Sequence, residues 1–132
     1  MKRNVIIAGL LIVAIATVFV LKKHKPEHLA ETAPVSAPLP RLLELGSVKC
    51  VPCKMMAPIL DELKVTFAGQ LRVDFIDVWQ QEGVGEQYGL RVIPTQIFFD
   101  ADGNELFRHE GFFAREDILS KWQELGYALR GN

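Results

Sequence analysis

Two cysteines, Cys50 and Cys53, stand three positions apart where a short apolar run gives way to a helical pattern, and the 132 residues hold no others. A bridge at this spacing closes a tiny loop and restricts the unfolded chain little, so it is a poor staple. A pair of this kind is better spent on chemistry. Its setting constrains the fold as well. The chain must run from a buried strand through a tight turn into a helix, with both sulfurs at that junction.

The pattern around the junction supplies the rest. Arg41-Leu42-Leu43-Glu44-Leu45, ending at Gly46-Ser47, predicts a buried strand. A helix is expected from Val51 to Phe67, because Met56, Ile59, Leu60, Leu63 and Phe67 fall on one helical face. Pro58 should kink it, and Gly69 should end it. Leu71 to Val78 predicts a second strand, and Glu82 to Tyr88 a short helix stopping at Gly89. Thr95 to Asp100 and Glu105 to Glu110 predict a hairpin turning at Asp102-Gly103. Arg115 to Leu129 predicts a closing helix with Ile118, Leu119, Trp122, Leu125 and Leu129 on one side. The order is β-α-β-α-β-β-α. It implies a parallel crossover followed by an antiparallel hairpin, with helices on both faces of nearly continuous apolar strands.

The first forty residues differ from the rest. Val5 to Leu21 has no charge and only Thr17 polar, between Lys2-Arg3 and Lys22-Lys23-His24-Lys25. As a helix it would reach about 25 Å, slightly short of a bilayer core of about 30 Å, which snorkelling lysines could make up. The alternative is a cleavable signal peptide. The lysine cluster argues for an uncleaved anchor, since the later small residues Ala33 and Ala37 are each followed by proline. Residues 24–40 hold Pro26, Pro34, Pro38 and Pro40, the composition of a semi-extended linker. The expected organisation is therefore an anchor at 1–23, a linker at 24–40 and a folded domain at 41–132. Positive charge flanks the run on both sides, slightly more on the C-terminal one, so charge alone leaves sidedness undecided or leans toward a cytoplasmic domain. A short anchor on a small redox domain favours delivery to the periplasmic or extracytoplasmic side. Residues 41–132 carry ten Lys/Arg against fourteen Asp/Glu, which gives no electrostatic footprint for nucleic acid.

Cys50 should sit where the long helix begins. Free backbone N–H groups, the positive end of the helix dipole, Lys49 and Lys54 would all favour its thiolate, making it the nucleophile. Cys53, one turn on, should be the buried resolving thiol. Two other uses of the pair stay open: half of a zinc site, which wants four ligands and finds only His24, His28 and His109 as further soft donors, or two inert buried thiols. Trp79 and Trp122 are expected to be packing residues.

Cys50-Val51-Pro52-Cys53-Lys54-Met55-Met56-Ala57-Pro58-Ile59-Leu60-Asp61-Glu62-Leu63 resembles the active-site helix of the thioredoxin family, kinking proline included. Tyr88-Gly89-Leu90-Arg91-Val92-Ile93-Pro94-Thr95 resembles the family's cis-proline loop, at a matching distance from Cys50. The resemblance covers roughly Leu42 to Gly126. It implies a thioredoxin-like α/β fold, a trimmed β-α-β-α-β-β-α core with a mixed sheet, preceded by one N-terminal transmembrane helix. It also implies that Pro94 is cis beside the cysteines. Ile93, Pro94 and Thr95 would then form the substrate-binding loop, with the Ile93 backbone pairing to an extended peptide. Glu44 occupies the place of the buried acid that manages the second cysteine's proton, so the resemblance makes it the proton acceptor for Cys53.

The sequence departs from the family pattern at several points. Lys49 replaces a tryptophan, Val51 a glycine, and Phe75 the lysine that pairs with the buried acid. The family's first strand and helix have no counterpart, because the proline-rich stretch stands there. These changes bear on reduction potential and partner choice.

The resulting reading is a monomeric protein-disulfide reductase or exchange enzyme. It needs no cofactor beyond the Cys50–Cys53 pair and no metal, and it draws electrons from a membrane thiol carrier. The alternatives are a net disulfide oxidant and a thiol-based copper-binding or delivery module, since Cu(I) suits two thiolates.

Overall fold

The structure is a computed structural model that describes residues 38–131; the expected anchor and most of the expected linker lie outside them. Among the described residues no helix is long and apolar enough to cross a membrane. The elements follow in the order β1 (Arg41–Gly46), α1 (Val51–Thr66), β2 (Arg72–Asp77), α2 (Val84–Gln87), β3 (Thr95–Phe99), β4 (Glu105–Glu110) and α3 (Arg115–Glu124). The strands form one mixed sheet in the order β2-β1-β3-β4. β1 pairs in parallel with β2, Leu42 against Val73 and Glu44 against Phe75. It pairs antiparallel with β3, Leu42 against Phe98 and Glu44 against Gln96. The most apolar strand is thus an inner one, with partners on both sides.

Alternation along β1 sorts the core into two layers. Leu42 points to the face covered by α1 and α3, where it meets Met56, Leu60, Leu63, Phe98, Ile118 and Trp122. Each fully buried side chain of this size contributes about 1.5–3 kcal/mol of transfer free energy. Trp122 is the largest of them, and its ring centroid lies 4.7 Å from that of Phe98. Leu43, Leu45 and Ile97 point to the other face, where Val84, Tyr88 and Leu90 pack on them. Helical cover is therefore two-sided but unequal: two long helices on one face, a single turn on the other.

The periodicity of α1 is borne out, since Met56, Leu60 and Leu63 are buried. The helix ends at Thr66, one residue short of the expected Phe67, which becomes its C-cap and stays buried. β2 begins and ends one residue inside the expected Leu71–Val78. α2 is one turn rather than the expected Glu82–Tyr88, and β3 stops at Phe99. Asp100 is pulled out of β3 by the turn, where its Oδ1 accepts from the backbone N–H groups of Asp102 and Asn104.

The largest correction is to α3, expected to run to Leu129. It stops at Glu124 because Gly126 takes a φ of +91°. The Tyr127 amide then donates to the Trp122 carbonyl and the Gly126 amide to the Gln123 carbonyl, the pattern of a Schellman cap. Leu129 still reaches the core edge, but from non-helical chain. Trp79 is also corrected. It is 61 % exposed, so only Trp122 is a core tryptophan.

Candidate active site

Cys50 is the N-cap of α1, with extended backbone (φ −85°, ψ 130°), and Pro52 sits in the helix's first turn. Proline fits there because it has no N–H to leave unsatisfied. The amides of Val51 and Cys53 have no acceptor within the helix, and the first helical bond runs from the Lys54 amide to the Cys50 carbonyl. Cys50 is partly exposed, Cys53 is buried, and both are free thiols. Burial pushes the Cys53 thiol above its usual range. The hydrogen bond to Cys50 adds to this, and a backbone bond at Ser47 opposes it.

The turn that delivers Cys50 is held by a residue that sequence reasoning missed. Asp77, at the end of β2, accepts from the Val48 amide at 3.1 Å, the Ser47 hydroxyl at 3.4 Å, the Trp79 amide at 3.0 Å and the Gln80 side chain at 2.9 Å. Partial burial would raise its carboxyl, but these four donors outweigh it and hold the group below the usual range. The Trp79 backbone is thus tied beside the Cys50 turn while its ring is exposed. The sequence signal was available: an acid closing a strand rich in Val, Phe and Ile, with Gln80 three residues on.

Glu44 is fully buried in β1. Burial pushes its carboxyl up to about 8, against the downward pull of a 2.8 Å hydrogen bond donated by Gln96 Nε2. Its charge is also among the causes that raise Cys53, so the two groups sense each other. Between them the backbone passes at Gly46. A Cβ built there would lie 3.1 Å from Cys53 Sγ and 3.3 Å from both Cys53 Cβ and a Phe75 ring carbon. The close approach of strand and helix requires glycine at this point. Gly46→Ala is expected to lower stability by about 1–3 kcal/mol through overpacking and to displace the Cys53 sulfur. Urea unfolding with thiol titration checks this, and an unchanged midpoint would show that α1 retreats freely. A cleft of about 350 Å³ opens beside Cys53, lined also by Val48, Lys54, Asp61 and Phe75.

The cis-proline loop reaches the same end of the sheet. Thr95 pairs with Leu45, which sets Pro94 level with Gly46. The Ile93–Pro94 peptide is cis, as the resemblance implies. Pro94 is buried and Ile93 half-buried. The Thr95 side chain is fully buried and its hydroxyl donates to the Val92 carbonyl at 2.7 Å, so it shapes the loop from inside. Among the described residues no three or more His, Cys, Asp or Glu cluster as metal ligands.

The Thioredoxin family model matches residues 24–124. The chain belongs to the thioredoxin family. The match begins in the stretch read as linker, so the likeness extends ahead of β1. Thioredoxin of Haemophilus influenzae is 40 % identical over 67 residues, which is 51 % of this chain and 63 % of that one. Thioredoxin of Pseudomonas aeruginosa is 38 % identical over 65 residues, 49 % of this chain and 59 % of its own length. An M-type chloroplast thioredoxin of Spinacia oleracea is 34 % identical over 61 residues, 46 % of this chain and 34 % of its own. The aligned chain thus spans less than two thirds of each of these relatives. Among solved structures, the germline-specific thioredoxin Deadhead of Drosophila melanogaster superposes with a TM-score of 0.60 at 23 % identity, covering 68 % of this chain and 84 % of that one. A malarial protein gives 0.61 at 17 % identity, with 65 % and 96 % covered. These two likenesses establish the fold.

Proposed function

We propose that this thioredoxin-family protein is a thiol–disulfide oxidoreductase that reduces or exchanges disulfides in other proteins. The observation that supports this most is the pairing of a partly exposed Cys50 at the start of α1 with a buried Cys53 one turn on. The Cys50 thiolate attacks one sulfur of a substrate disulfide, forming a mixed disulfide and releasing the other substrate sulfur as a thiolate that takes up a proton. Cys53 then gives its proton to the Glu44 carboxylate and attacks Cys50. This frees the second substrate thiol and leaves Cys50 and Cys53 oxidised by two electrons. A carboxyl group that holds its proton with a midpoint of about 8 exchanges it readily near neutral pH.

The substrate would dock as an extended segment along the Ile93–Pro94 loop, with exposed Val48, Val51 and Trp79 offering apolar contact beside Cys50. Reduced protein is regenerated by a membrane thiol carrier. The domain hangs from an N-terminal anchor, a reading supported by the apolar run of residues 5–21 and its lysine flank, and a short anchor on a small thiol-exchange domain favours the extracytoplasmic side.

Insulin reduction in the presence of dithiothreitol tests the activity, with aggregation of the released B chain as the readout. Catalysed aggregation is expected, and none would remove the reading. The Cys50–Cys53 potential then fixes direction. A value near about −270 mV marks a reductant, and one near about −120 mV an oxidant.

A further inference from the structure

Among the described residues no cation pairs with the acid behind Cys53. Phe75, its register partner in β2, presents an apolar ring on the same face. On the other side, in β3, stands Gln96, which is fully buried. Its Nε2 donates to Glu44 Oε2 at 2.8 Å and to the Gly111 carbonyl at 3.1 Å. An amide nitrogen has two hydrogens, so both are committed. The second bond fixes which way the amide faces. If it flipped, its oxygen would confront the Gly111 carbonyl, which can only accept. Gln96 therefore always presents a donor to Glu44. Glu44 Oε1 has no hydrogen-bond partner among the described residues, and neither has Gln96 Oε1. An unpaired buried oxygen is costly, and of these two only the carboxylate oxygen of Glu44 can take a proton.

We propose that Gln96 is the positioning residue for proton exchange in this site. Its amide, locked by the Gly111 carbonyl, binds Glu44 Oε2 and leaves Oε1 to exchange the proton with Cys53. The inference rests on the thiol-exchange reading and refines it. A neutral donor supports the carboxylate less than a cation would and more than an apolar wall would. It thereby sets where between those limits Glu44 titrates.

The groups packed around Glu44 are few. Cys53 approaches from α1, with Cys50 behind it. Phe75 comes from β2 and Gln96 from β3. His109, across from Gln96 in β4, contacts the Phe112 carbonyl through Nε2 at 3.1 Å and stacks on Phe113. Lys54 and Asp61 line the cleft beside Cys53, and Asp77 is bound in the Cys50 turn.

The test is Gln96→Met, which keeps length and removes the donor. The Glu44 carboxyl is followed by carbon NMR with pH, a readout that needs no enzymatic activity. Its midpoint is expected to rise by about one pH unit, about tenfold in proton affinity. The pH profile of mixed-disulfide resolution should move with it, and in a Glu44→Gln background the Gln96→Met change should no longer move that profile. An unmoved Glu44 midpoint overturns the proposal, as does an equal effect on resolution with and without Glu44, which marks a packing role. Should Gln96→Met fail to fold, Gln96→Asn keeps a buried amide too short to span Glu44 and Gly111, and it carries the same expectations. If the wild-type protein reduces no disulfide, the exchange reading fails while the NMR midpoint still judges the Gln96–Glu44 link.

Discussion

Cys50→Ser is expected to abolish disulfide reduction, lowering turnover by more than about a thousandfold, while Cys53→Ser should stop the cycle halfway with substrate attached. The asymmetry follows from placement. Cys50 caps α1 and meets solvent, whereas Cys53 is buried behind it with its thiol held above the usual range. A serine at position 50 cannot start the exchange. A serine at position 53 permits the first attack but not the second, so the mixed disulfide through Cys50 persists. Mass spectrometry of protein isolated without reductant reads both outcomes. Both variants should fold, because the two cysteines form no structural bridge. If Cys50→Ser trapped substrate and Cys53→Ser did not, the roles would be reversed. If the chain were a metal carrier instead, neither variant would trap substrate.

The second large effect is on stability and its dependence on pH. An ordinary glutamate carboxyl titrates near 4.5, and burial in the fold raises that of Glu44 to about 8. Between those two pH values the unfolded carboxyl has lost its proton while the folded one keeps it. The folded state then binds more protons, so stability falls as pH rises. The favourable contribution is fully present below about pH 4.5 and gone above about pH 8. Across the window the loss is on the order of 3–5 kcal/mol. Glu44→Gln has no such titration. Wild type should therefore lose that much stability relative to the variant between pH 4.5 and 8, whatever constant offset the new amide introduces. Denaturant unfolding of both proteins across this range measures it, and parallel stability curves would show that Glu44 titrates normally. The same variant should resolve mixed disulfides slowly, since it has no carboxylate to receive the Cys53 proton.

What the sequence revealed and what it hid divide along a physical line. Met56, Leu60 and Leu63 repeat at helical spacing within one segment, so their shared face was readable before any fold was known. Cys50-Val51-Pro52-Cys53 was legible for the same reason, because strand, turn, proline and helix are contiguous. The end of α3 was misread because Leu125 and Leu129 continue the apolar rhythm past Gly126, and backbone conformation overruled side-chain pattern there. Trp79 was expected to be a packing residue, yet it is 61 % exposed. Its backbone amide is bound by Asp77, a contact that only the folded loop creates. Gln96 gave no signal, because its partner Glu44 lies 52 positions earlier in the chain. Strand register alone brings them together.

The inner position of β1 has a consequence for how the molecule comes apart. This strand bears Glu44 and Gly46 and runs straight into the turn that presents Cys50, and it is bonded to β2 on one side and β3 on the other. Its amides, bonded on both sides, are expected to be among the last to exchange with solvent, later than those of the lone turn of α2. The reactive sulfur is thus founded on a strand held along both edges, where local opening should be rarest.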